Sequence, residues 1–123
     1  MNKIYRTLET IEILVGDTLP IIELEIKTID SNDKIVGVEL ELATLMLSKE
    51  GMADKAFPMV MKASGRYEVL IKSYETVNWE EGEYCFWFRI VDKQLNEYRR
   101  EGGIIKVNGI NVESFKKRVG GED

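Results

Sequence analysis

Trp79-Glu80-Glu81-Gly82-Glu83-Tyr84-Cys85-Phe86-Trp87-Phe88-Arg89-Ile90 is the stretch whose reading decides the fold. Gly82 supplies a turn. Tyr84, Phe86, Phe88 and Ile90 then recur at period two, which places all four on one face of a strand. Cys85, Trp87 and Arg89 fall on the opposite face. A Gly-x-Tyr step at the start of such a strand is the pattern of a tyrosine corner, in which the phenol bonds a backbone group a few residues upstream. An antibody-type domain would carry a cysteine two residues after that tyrosine. Phe86 stands there, so a ring takes the place of a disulfide. Gly82, Tyr84, Phe86 and Phe88 are therefore structural candidates.

Working outward, the same period appears in shorter pieces. Ile11, Ile13 and Val15 alternate before Gly16-Asp17. Ile22, Leu24 and Ile26 alternate with Glu23, Glu25 and Lys27, giving one dry and one wet face. Asp30-Ser31-Asn32-Asp33 is a turn cluster. Val38, Leu40 and Leu42 share one parity and Ala43, Leu45 and Leu47 the other, so a β-bulge is expected near Leu42-Ala43-Thr44. Phe57, Met59 and Met61 make a shorter strand, and Tyr67, Val69 and Ile71 another. Ser73 to Trp79 has room for one helical turn. Asp92 to Asn96 reads as a hairpin connection. The return strand starts at Tyr98 to Arg100, breaks at Gly102-Gly103, and continues through Ile105 and Val107. The expectation is an all-β, antiparallel sandwich of about seven to eight short strands over 1–107. A C-terminal arm, 108–123, follows, partly disordered, with a short helix or tail at Glu113 to Val119.

Composition narrows the function. The chain has 123 residues, 44% of them hydrophobic, and a net charge of −5 from 22 acidic and 17 basic residues. One domain with one core is expected. An acidic balance works against nucleic-acid binding, which needs a basic face. There is no histidine, which removes the commonest general base and zinc ligand. The single cysteine, Cys85, cannot form an intrachain disulfide, which favours a reducing compartment. No apolar run reaches signal-peptide or membrane-span length, so a soluble, cytoplasmic chain is expected.

Candidate sites are few. Cys85 as a nucleophile would need a base or cation to lower its pKa, and otherwise serves as a small apolar side chain on the second face. Trp87 and Arg89 on the outer face suit a protein contact, and Trp87 could equally lie under the chain's own terminal segment. Tyr98 joins them as an interface candidate. Trp87, Trp79 and Tyr98 together could form an aromatic platform for a sugar. Asp30, Asn32 and Asp33 resemble a calcium loop only superficially, because the sixth position is Ile35 and not glycine. Gly102-Gly103 lacks the Lys-Ser/Thr of a phosphate loop and reads as a bulge. Adjacent acids at Glu80-Glu81 and Glu122-Asp123 lie in turn-like or tail-like contexts, and Lys116-Lys117-Arg118 reads as a solvated tail face. No nucleophile–base pair stands out, so neither an enzyme nor a cofactor is expected.

The order of motifs adds a resemblance. The chain runs Ile13-x-Val15-Gly16-Asp17-Thr18, then Val38-x-Leu40-x-Leu42-Ala43-Thr44-Leu45, then Gly65-Arg66-Tyr67-x-Val69. Glu75-Thr76-Val77-x-Trp79-x-x-Gly82-x-Tyr84-x-Phe86 follows, and Glu101-Gly102-Gly103-Ile104-Ile105-x-Val107 closes it. From Thr10 to Val107 this resembles the immunoglobulin-like β-sandwich domains of bacteriophage and prophage structural proteins, especially the N-terminal domain of upper-baseplate proteins. Leu42-Ala43 departs from the Leu-x-Gly-Ala step often seen there. The resemblance implies a tail or baseplate component without catalytic or cofactor-binding residues. It also implies partners among other virion proteins and copies of itself, a cytoplasmic location during assembly, and a place in the virion afterwards.

Overall fold

The computed structural model describes residues 9–109. The expectations for Glu113 to Val119, Lys116-Lys117-Arg118 and Glu122-Asp123 lie outside those residues. Ten strands and one helical turn follow in order: β1 (Glu9–Leu14), β2 (Ile22–Glu25), β3 (Lys27–Ile29), β4 (Ile35–Gly37), β5 (Leu40–Ser48), β6 (Lys55–Pro58), β7 (Val60–Ala63), β8 (Arg66–Val69), α1 (Ser73–Thr76), β9 (Gly82–Asp92) and β10 (Glu97–Asn108). They form a five-stranded sheet in the order β1-β10-β9-β5-β6, a three-stranded sheet β2-β8-β7, and the hairpin β3-β4. The all-β expectation holds.

Alternation explains why the two larger sheets share one core. On β9, Tyr84, Phe86, Phe88 and Ile90 are all at most 2% exposed. They meet Leu45 and Leu47 from β5, Ile105 and Val107 from β10, and Ile22, Leu24, Tyr67 and Val69 from the three-stranded sheet in a single cluster. Each large apolar side chain so buried contributes roughly 1.5–3 kcal/mol, and that burial holds the two sheets together. Trp79 closes one end of the core, 5.4 Å from the Tyr84 ring and 6.2 Å from Phe57 between centroids.

Three details differ from the sequence expectation. β1 pairs with β10 in parallel, Glu9 opposite Gly103 through Leu14 opposite Asn108, so the five-stranded sheet is mixed. First and last strands can run the same way because the whole domain serves as their connection. Second, the segment expected as one strand through Phe57, Met59 and Met61 is two. β6 pairs with β5, β7 pairs with β8, and Met59 lies between them, its N–H donating to the Ala43 carbonyl at 2.9 Å. The chain changes sheets there, directly after Pro58, which lacks the N–H that a longer ladder would use. The bulge expected at Gly102-Gly103, by contrast, is present. The register of β10 on β9 shifts between Glu101 and Gly103, and the strand runs on. Third, the bulge in β5 falls between Leu40 and Leu42, slightly before the expected place. It explains how Leu40 and Ala43 are both buried while Leu42 is 39% exposed.

Local chemistry sets the turns. Asp30 Oδ1 accepts the N–H groups of Asn32 and Lys34, which closes the β3-β4 hairpin. Asp92 Oδ1 does the same for Gln94 and Asn96 between β9 and β10. The helical turn α1 is anchored from outside itself. Thr76, fully buried, donates through Oγ1 to the Asp17 carbonyl at 2.6 Å, and the Ser73 N–H donates to Thr18 Oγ1 at 3.1 Å.

Candidate interaction surface

The four structural candidates lie together at the entry to β9. Gly82 has φ of 137°, a conformation that side-chain-bearing residues rarely adopt. Tyr84 follows, and its Oη donates to the Glu80 carbonyl at 2.7 Å. The phenol thus ties the strand to the loop entering it. Burial raises the Tyr84 pKa above the usual tyrosine value. Its bond to the Glu80 backbone opposes that, and the Glu80 charge adds to it. Phe86 and Phe88 continue the buried face, their rings edge to face at 6.1 Å.

The interface candidates divide. Trp87 and Arg89 sit on the outer face of the five-stranded sheet, half-buried. Trp87 Nε1 donates to Ser48 Oγ at 3.2 Å, and the Arg99 guanidinium lies 5.3 Å from the indole centroid. Such a stack restrains the orientation of the indole. Arg89 makes a two-pronged bond to Glu97, Nε to Oε2 and Nη2 to Oε1, both at 2.9 Å. That bond is the main reason the Arg89 pKa is raised and the Glu97 carboxyl is held below the usual glutamate range. Tyr98 is not part of this patch. It pairs with Ile90 and so belongs to the opposite face, where Arg100 lies 5.6 Å from its ring centroid.

A shallow groove of about 720 Å³ runs along this side, bordered by Glu9, Cys85, Trp87, Arg99, Glu101 and Ile104. It lies beside the first half of β10, since the described part of β1 begins at Glu9, opposite Gly103, while β10 reaches Glu97. Among the described residues, the first half of β10, Glu97 to Gly102, has a strand on one side only. Arg100 Nη1 donates to the Arg99 carbonyl at 2.7 Å, so the chain's own side chain serves that backbone group.

Sequence reasoning missed Arg99, Glu101 and Ser48. Their roles depend on cross-strand register: Glu101 sits opposite Trp87, and Ser48 opposite Cys85. The two-glycine break at Gly102-Gly103 was the available signal, since a bulge there re-aims the residues before it. The sugar-platform grouping is not assembled. Trp79 is 4% exposed inside the core, and Tyr98 and Trp87 face opposite ways. Among the described residues no group of three or more His, Cys, Asp or Glu side chains is placed to hold a metal ion. Cys85 is exposed in the groove. No described helix is long and apolar enough to cross a membrane.

No protein-family model matches the chain, and no curated protein matches it either.

Proposed function

We propose that this chain is a non-enzymatic assembly module of a phage or prophage particle, a tail or baseplate component that acts through protein–protein contacts. The fold we assign to it is an immunoglobulin-like sandwich. Two features support that assignment. The sheet orders β2-β8-β7 and β10-β9-β5-β6 correspond to strands B-E-D and G-F-C-C′ of such a domain. The Tyr84 bond to Glu80 stands at the start of the strand that corresponds to F, where a tyrosine corner belongs.

The observation that carries a contact function is the Trp87–Arg99 stack on the outer face of the five-stranded sheet. Trp and Arg are among the residues most enriched where binding energy concentrates. The phage context rests on the ordered motifs from Thr10 to Val107. The test uses the purified full chain as bait for the products of its neighbouring genes, with co-elution on a sizing column as the readout. Co-elution with a tail or baseplate protein is expected. Absence of any partner together with absence of self-association would overturn the proposal.

A further inference from the structure

We propose that residues 4–8 of the chain continue β1 in parallel along the first half of β10 of the same molecule, as a strap that closes the groove beside Trp87.

The described part of β1 is already committed to this path. Its register on β10 is unbroken, from Leu14 opposite Asn108 back to Glu9 opposite Gly103. At Glu9 the two backbones are in close contact. A Cβ on Gly103 would collide with the Glu9 carbonyl oxygen and stand 2.8 Å from the Glu9 nitrogen, so the missing side chain lets β1 lie there. Followed back from Glu9, a chain that keeps this direction runs beside Glu101 to Glu97, which have β9 on their other side.

The backbone of β10 presents matching groups. The Arg100 guanidinium reaches the Arg99 carbonyl, which therefore points away from β9. The N–H and C=O of one strand residue point to the same side, and the side alternates along the strand. Glu97, Arg99 and Glu101 thus offer both groups to the strap, and Tyr98 and Arg100 offer theirs to β9. Beyond the bulge, Asn108 accepts the Val15 N–H, which places Ile104, Lys106 and Asn108 on the β1 side by the same rule. The bulge between Glu101 and Gly103 absorbs one residue, so Leu8, Arg6 and Ile4 fall beside Glu101, Arg99 and Glu97.

The side chains suit these places. Leu8 joins the row of Glu101 and Trp87 and fills the groove against the indole. Trp87 then has the cover by the chain's own terminal segment that its sequence position allowed. Ile4, Tyr5 and Thr7 favour strands, and residues 4–8 contain neither Gly nor Pro. Arg6 has Glu97 and Glu101 on its two diagonals, while Arg99, directly beside it, is held on Trp87. An intrachain strap also removes an edge that would template strand addition. The contact function proposed above then falls on the β5 side of Trp87, where Met46 stands opposite it. That consequence rests on the assembly reading; the strap does not.

Amide hydrogen exchange of the isotope-labelled full chain, read residue by residue, tests it. The Arg99 and Glu101 amides are expected to exchange at least about 100-fold slower than in an unstructured peptide, at the same rate in dilute and in concentrated samples. In this register the Tyr5 and Thr7 N–H groups point to β10, and the double variant Y5P/T7P removes both donors. It is expected to return Arg99 and Glu101 to fast exchange while Arg100 and Ile105, bonded to β9, stay protected. Arg6→Pro removes an N–H that faces away from β10 and is expected to keep the protection. Fast exchange at Arg99 and Glu101 in the wild type, protection that survives Y5P/T7P, equal loss in Arg6→Pro, or protection that grows with concentration would each overturn the inference. None of these outcomes depends on capture of a partner, so the strap and the assembly reading fail separately.

Discussion

Tyr84 performs two tasks with one side chain. Its ring fills the core beside Trp79, and its hydroxyl holds the Glu80 carbonyl at the mouth of β9. Tyr84→Phe keeps the ring and removes the bond, leaving a partly buried carbonyl without its donor. A loss of about 1 kcal/mol is expected, read as a lower midpoint in urea. The same substitution changes the response to alkali. Burial holds the folded-state pKa of Tyr84 above the unfolded value of about 10. The stability tied to this group is therefore complete below about pH 10 and falls as pH rises toward and through the folded value. Wild type should lose stability in that range more steeply than Tyr84→Phe, and parallel losses in the two would contradict the assignment. Glu97 has the opposite sign. Its carboxyl is lowered by Arg89, so what it contributes is present above the usual glutamate pKa and fades as pH falls.

At the scale of elements, the hairpin β3-β4 is joined to the three-stranded sheet by two glycines. A Cβ on Gly65 would stand 2.5 Å from the Ile26 carbonyl oxygen and 2.6 Å from the Gly37 Cα, and Gly65 also has φ of +78°. Its own carbonyl accepts the Ile26 N–H at 2.8 Å. Gly51 has a similar φ of +83° but open space around it. Gly65→Ala is therefore expected to destabilise by more than about 2 kcal/mol, from strain plus displaced backbone, and Gly51→Ala by about 1 kcal/mol from strain alone. Comparison of the two denaturation midpoints checks this, and equal losses would contradict the packing. The junction also marks where the sequence stops being informative. Alternation at Tyr84, Phe86, Phe88 and Ile90 made β9 legible, because a strand buried on one face writes its period into the residues. The phase change after Leu42 made a bulge legible for the same reason. The break at Met59 was not legible, since Phe57, Met59 and Met61 keep one parity while the chain passes from one sheet to the other. The parallel partner of β1 was hidden too, because pairing over such a separation leaves no local trace.

Across the whole molecule, two sheets close over one core, and Trp87, Arg89 and Arg99 are left on the outer face. Half of the proposed contact surface was readable: the outward placement of Trp87 and Arg89 follows from β9 parity alone. Arg99 and Glu101 needed the register of β10, and Tyr98 was misgrouped because the bulge at Gly102 separates its parity from that of Ile105. Glu75-Thr76 gained a physical reason only from the fold, as Thr76 ties α1 to the Asp17 carbonyl after β1. The central claim is that the β9 rings face the three-stranded sheet, which leaves Trp87 and Arg89 on the outer face. Nuclear Overhauser contacts in the labelled full chain test it most directly. The account predicts cross-peaks from the rings of Tyr84, Phe86 and Phe88 to methyl groups of Ile22, Leu24 and Val69, and none from those methyls to Trp87. Cross-peaks from Trp87 to those methyls, with the Phe86 and Phe88 rings free of them, would contradict it.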